Sequence, residues 1–129
     1  MKILHTADWH LGTFRSPVKD GVNLRTEDTK RCLDELIRVA NEEKPDYSLV
    51  SGDIFHVGRL WSDRCCEEII TAIHYIRELA AVSKQVVVMR GTPNHDGSGQ
   101  FNVLSEMFAD VPNVHVVITP QVISFDDVD

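Results

Sequence analysis

The sequence predicts an α/β fold in which a parallel β-sheet is flanked by helices. Two observations carry this reading. Three short apolar segments each stop at a polar, glycine-containing loop, and two stretches of helical periodicity lie between them, giving the order β-α-β-α-β. Connections of that length suit parallel strands with right-handed crossovers, and in such sheets sites form at the C-terminal strand ends.

The first strand is expected over residues 2–7 (KILHTA), ending at Asp8, and the second over Tyr47–Ser51, ending at Gly52. The third, Gln85–Arg90, is β-branched, too short for a helix, and stops at Gly91. Between the first two, Cys32, Leu33, Leu36, Ile37 and Ala40 recur at helical spacing, which predicts a helix from about Thr26 to Glu43, closed by Pro45. Between the second and third, Ser62 can cap a helix striped by Ile69, Ile70, Ile73, Ile76, Leu79 and Ala80. A short helix near Asn102–Phe108 and two edge strands, His115–Ile118 and Val122–Phe125, are expected to follow.

Composition narrows the class. At 129 residues, 43% hydrophobic and 26% charged, the chain suits one folded domain that needs no disulfide or structural metal. Cys32, Cys65 and Cys66 are odd in number and include an adjacent pair, so they read as reduced thiols in a cytoplasmic chain; the pair also lacks the spacing of a zinc site. The opening MKILHTADWH has no signal-peptide core, and no later segment is apolar for long enough to span a membrane. A net charge of -7 argues against binding nucleic acid by bulk electrostatics, but it leaves room for a metal centre whose carboxylates are neutralised by cations.

The chemistry sits at the strand ends. Each of the three strands delivers metal-binding side chains there: Asp8-Trp9-His10, Gly52-Asp53 and Asn94-His95-Asp96. Any one of these is common as a turn, and their coincidence at three strand ends is not. Asp8 and His10 flank Trp9, so in an extended segment they point the same way and can meet one ion. Carboxylate, imidazole and amide donors together suit manganese, iron or zinc. Two such ions held ~3.5–4 Å apart can clamp a phosphodiester for in-line attack.

In this arrangement the chain resembles the calcineurin-like metallophosphoesterase superfamily. Within it, MKILHTADWHLG, PDYSLVSGDIFH and VVVMRG are similar to the SbcD-type DNA-repair nuclease subunits, over residues 1 to about 97. The resemblance implies a sheet sandwich flanked by helices and two divalent ions, manganese before iron or zinc. It implies that Asp8 and His10 hold the first ion, Asp53 bridges both, and Asn94 binds the second. His95 would act on the scissile phosphate, stabilising charge or protonating the leaving oxygen, and Asp96 would brace the loop. His56 stands where related protein phosphatases carry an Asp, and a His there favours DNA as substrate, with His56 at the edge of the catalytic site. His5, His74 and His115 read as packed or surface residues.

Two departures from the family pattern stand out. Thr92-Pro93 separates Gly91 from Asn94, so the loop is expected to bulge while still delivering Asn94 and His95. The histidines that complete the family's centre come from later Gly-His loops that this sequence lacks, so the chain is expected to be the N-terminal part of a nuclease domain, or else a degraded homologue. The implied function is a metal-dependent DNA exo- or endonuclease, nucleoid-associated if bacterial, working with an SbcC-like coiled-coil ATPase. A phosphatase, a cyclic-nucleotide phosphodiesterase and a non-enzymatic assembly module are the alternatives. The Trp61–Val82 helix is the expected homodimer surface, with core packing as its other use. Arg15, Lys19, Arg25, Lys30 and Arg31 fit either a DNA backbone at the site's rim or a solvated face diluted by Asp20, Glu27 and Asp28.

Overall fold

The computed structural model describes residues 1–12, 14–58 and 63–126, without the side chains of residues 63–65. Trp61 and the expected cap Ser62 lie outside the described residues, as does the Cys65 side chain. The elements run β1 (Ile3–Thr6), β2 (Val18–Lys19), β3 (Val22–Asn23), α1 (Leu24–Glu43), β4 (Tyr47–Ser51), α2 (Asp63–Val82), β5 (Gln85–Met89), α3 (Ser98–Met107) and β6 (Val114–Val117). Strands β1, β4, β5 and β6 form one parallel sheet in that order.

Strand alternation divides the sheet into two faces. Leu4, Val50, Val86, Val88, Val114 and Val116 join the helices in a single core, with Ile76, Leu79, Phe101 and Leu104 fully buried within it. The opposite face carries His5, Leu49, Val87 and His115 in one register row. Phe125 lies on that face, its ring 5.4 Å from Tyr47 and 4.9 Å from His115.

Four local outcomes differ from expectation, each for a physical reason. Helix α1 starts two residues early because Asn23 caps it, its side-chain oxygen accepting from the Arg25 and Thr26 amides at 3.1 and 3.2 Å. The β2–β3 hairpin was not expected. Its signal is Asp20-Gly21, both with positive φ (52° and 78°), as a two-residue hairpin turn requires. Helix α3 begins at Ser98 rather than near Asn102, since Gln100 holds its start by accepting from the Gly97 amide and donating to the Val57 carbonyl. Only one of the two expected edge strands exists: residues 122–125 form none, because Pro120 interrupts a ladder and Phe125 turns onto the sheet face instead.

The apolar stripe of α2 is mostly spent on the core. Ile69, Ile73, Ile76 and Leu79 are buried, and the buried Tyr75 hydroxyl donates to Asp34 of α1 at 2.7 Å. Ile70 alone among these isoleucines faces out, at 65% exposure. Leu79→Ala is therefore expected to lower unfolding free energy by about 2–5 kcal/mol, and Ile70→Ala by no more than about 0.5 kcal/mol, as measured by denaturant titration.

Candidate metal centre

The loops after β1, β4 and β5 meet at the C-terminal edge of the sheet. The first two are zipped together by backbone bonds: the Asp8, His10 and Leu11 amides donate to the Gly52, Asp53 and Ile54 carbonyls at 2.8–3.0 Å, and the His56 amide returns to Leu11. Asp8, His10 and Asp53 all adopt left-handed backbone, with φ of 55°, 47° and 49°. Asp8 and His10 thus face a common point through two left-handed residues, not through the extended segment expected from the sequence. Strain of this kind persists where the surrounding structure over-determines the backbone. Here Trp9 supplies the anchor, buried between them with its indole nitrogen donating to Thr6 Oγ1 at 2.8 Å.

The third loop is drawn in by Asp96. This fully buried carboxylate accepts from the Phe55 amide at 3.0 Å and the Gly91 amide at 2.7 Å. The approach is close enough to demand glycine: a Cβ on Gly52 would lie 2.5 Å from Gly91 Cα, and one on Gly91 would lie 2.3 Å from the Asp53 amide nitrogen. Thr92 contributes directly, its amide and hydroxyl both donating to Asp53 Oδ1 at 2.8 and 3.0 Å. Loop 92–96 closes as a tight turn, with the His95 and Asp96 amides both donating to the Thr92 carbonyl. Thr92-Pro93, met in the sequence as an insertion, therefore begins the turn that presents His95. No sequence signal marked Thr92 as a partner of Asp53.

These loops bring Asp8, His10, Asp53, His56 and His95 together. Among the described residues, Asp8, His10 and Asp53 form one group of candidate ligand atoms within 4.8 Å of one another, and His10, His56 and His95 form a second. Two carboxylates and an imidazole at that spacing fit a divalent transition ion. Asn94 lies on the same turn as His95; its residue is exposed, and its carbonyl accepts from the Gly58 amide at 3.0 Å. The His95 ring is 4.6 Å from that of His10, and its Nδ1 donates to the His56 carbonyl at 2.7 Å, which leaves Nε2 with the lone pair in the neutral ring. His56 Nδ1 is buried without a hydrogen-bond partner among the described residues. His5 and His115 bond Ser51 and Gln85, while His74 packs on Tyr75, so all three stand apart from the cluster.

A model of the calcineurin-like phosphoesterase family matches residues 1–125. The chain belongs to that family. It is 29% identical over 127 residues to the SbcD subunit of the nuclease SbcCD from Staphylococcus epidermidis, a match covering 98% of this chain and 30% of that protein. To the SbcD subunit of the nuclease SbcCD from Staphylococcus saprophyticus it is 31% identical over 108 residues, or 84% of this chain and 26% of the relative. This phosphoesterase chain thus spans about 30% or less of the length of the curated relatives it matches. Family membership implies divalent-metal binding, and the donor groups above are of the right kind. No helix among the described residues is long and apolar enough to cross a membrane.

Electrostatics divide the titratable groups of the phosphoesterase site. Hydrogen bonds from the Thr92 amide hold the Asp53 carboxyl below the usual range, assisted by its hydroxyl and by His95 and His10. Burial pushes Asp96 up, against the amides that stabilise its charge. Burial also pushes His56 below the ordinary histidine value, with His10, His95 and Arg25 acting in the same direction. A depressed folded-state pKa means that the folded protein binds fewer protons, so stability from His56 is present above the ordinary histidine pKa and is lost as pH falls below it. Thermal unfolding midpoints should therefore drop between about pH 7.5 and 5.5, and His56→Gln should flatten that slope. Gly91→Ala should disrupt the junction of the loops: circular dichroism should report a retained fold, while divalent-metal affinity measured by calorimetry falls at least about tenfold.

Proposed function

We propose that this chain is the N-terminal part of a metal-dependent DNA nuclease domain that hydrolyses phosphodiester bonds with two divalent ions, manganese before iron or zinc. The observation that carries the reading is the convergence of Asp8, His10, Asp53 and His95 from three strand ends. The nuclease names of both relatives direct it toward DNA. His56, beside His95 with its ring centroid 5.9 Å away, supports the same choice.

In this reading Asp8 and His10 would hold the first ion, Asp53 would serve both, and Asn94 would offer its amide oxygen to the second. When bound, the ions neutralise phosphate charge and activate the attacking nucleophile. The rest of the work belongs to the protein. Thr92 orients the Asp53 carboxylate by two hydrogen bonds to Oδ1, and Oδ2 has no hydrogen-bond partner among the described residues. His95, fixed at Nδ1 by the His56 carbonyl, directs Nε2 at the scissile phosphate, where in its protonated form it stabilises charge or protonates the leaving oxygen. His56 lines the edge of this site, backed by Gly12, where a Cβ would lie 2.5 Å from the His56 Cβ.

The proposed partners are DNA and an SbcC-like coiled-coil ATPase, in a cytoplasmic, nucleoid-associated assembly. A homodimer through the 61–82 region is also proposed, resting on exposed Ile70, since Ile69, Ile73, Ile76 and Leu79 are buried and Ala80 is partly buried. A mass measurement that finds only monomer at high concentration would remove that element.

In the complete protein, His95→Ala should reduce manganese-dependent cleavage of duplex DNA by at least about a hundredfold, the scale of a lost acid–base group, with manganese binding by calorimetry retained. Asp53→Asn should lose both. Undiminished cleavage by the His95 variant would refute its role. Turnover of phosphoproteins or cyclic nucleotides with none of DNA would favour the phosphatase or cyclic-nucleotide phosphodiesterase reading, and no specific manganese binding at all would favour an assembly module.

A further inference from the structure

Helix α1 begins beside the metal centre, and its first turn carries a cation set in place by its neighbours. The Arg25 guanidinium carbon lies 3.9 Å from the centroid of the Phe14 ring. That ring in turn packs on His56, with centroids 4.4 Å apart. One side chain holds the arrangement together: Asn23 caps α1 by accepting from the Arg25 amide, and its own amide nitrogen donates to the Phe14 carbonyl at 2.8 Å. The Ser16 hydroxyl accepts from the same Arg25 amide at 3.3 Å.

Arg25 makes no ion pair among the described residues, whereas Arg31 pairs with Asp28 and Arg38 with Glu35 and Glu42. Arg25 and Asp8 also line the same cavity, about 590 Å³, which has Trp9, Leu33 and Leu36 in its wall. An unpaired guanidinium in a chain of net charge -7, next to a candidate phosphodiester site, has a fork of donors matched to a phosphate. Stacking on an aromatic ring removes much of the side chain's freedom before a ligand arrives.

We infer that Arg25, held over Phe14 and stapled by Asn23, binds the phosphate next to the scissile one in a polynucleotide substrate. The inference rests on the phosphodiesterase reading above and adds to it a determinant of substrate class. A polynucleotide offers that second phosphate; a small aryl phosphodiester has only the one that reacts. Arg25 has a built position against the site, over a ring that packs on His56.

The test is steady-state kinetics of the complete protein on a DNA oligonucleotide and on bis(4-nitrophenyl) phosphate, comparing wild type with Arg25→Ala and Arg25→Lys. Arg25→Ala should raise KM for DNA about tenfold, with kcat within about threefold, and should lower the salt dependence of log KM by about one phosphate contact. The loss in kcat/KM on DNA should exceed the loss on the aryl diester by about tenfold, and Arg25→Lys should recover part of the difference by keeping the charge. Equal losses on both substrates, or a fall in kcat with KM and salt slope unmoved, would overturn this role while leaving the phosphodiesterase reading intact. A wild-type protein that hydrolyses the aryl diester but not DNA would overturn the polynucleotide reading and this inference with it.

Discussion

A single buried carboxylate ties the loops of this protein together. Asp96 accepts from the Phe55 and Gly91 amides, and its own carbonyl accepts from Arg90 Nε at 2.8 Å. Its two oxygens therefore join the loop after β4 to the loop after β5. Those loops carry Asp53 and His56 on one side and Asn94 and His95 on the other. Such a group is expensive to bury, and the backbone amides that offset the desolvation are the same ones that must be held for the site to form. Among the described residues neither loop holds a helix or a strand of the sheet, so the geometry of the centre depends on this junction more than on either strand end alone.

Around that junction the backbone takes conformations that side chains usually avoid. Asp8, His10 and Asp53 are left-handed, and Gly52 lies at φ 84° against Gly91. Aspartate tolerates such φ values better than most residues, and the parallel backbone bonds between residues 8–11 and 52–56 hold the loops in register. Trp9 turns the other way, into the core, with its ring 6.5 Å from Tyr75. Tyr75 is bonded to Asp34 of α1, so the packing of the two long helices reaches the first metal motif through one aromatic contact. The helices thereby help to orient residues at the sheet's edge.

The electrostatic design is one of opposed requirements. Carboxylates and imidazoles crowd together, and each is held differently: hydrogen bonds from Thr92 lower the Asp53 carboxyl, burial lowers the His56 imidazole, and a carbonyl fixes the tautomer of His95. A phosphodiester approaching this acidic surface needs cationic help. In the proposed reaction metal ions supply it at the centre, and Arg25 stands ready at the rim. The exposed pairs of Arg31 and Arg38 are instead spent along α1, where ion pairs of this kind contribute little.

Much of this architecture was legible in the residues themselves. Periodicity located β4 to the residue and β1, β5 and α1 to within about two, because alternating and helical burial leave direct traces in apolar spacing. The strand-end positions of Asp8, His10, Asp53 and His95 followed from the same pattern. What periodicity could not carry was any feature made by groups distant in sequence. The hydrogen bonds of Thr92 to Asp53 span 39 positions, and that of Asp96 to Phe55 spans 41. Phe14 over His56 and Arg25 over Phe14 depend on how the β2–β3 hairpin returns the chain to α1. Phe125 looked like strand and instead covers the sheet, since a face in need of apolar cover outweighed a short β propensity. Sequence alone determined which residues arrive at the strand ends, because local spacing sets that. Tertiary structure alone decided how the loops are clasped and which cation guards the site, because those contacts exist only once distant segments have met.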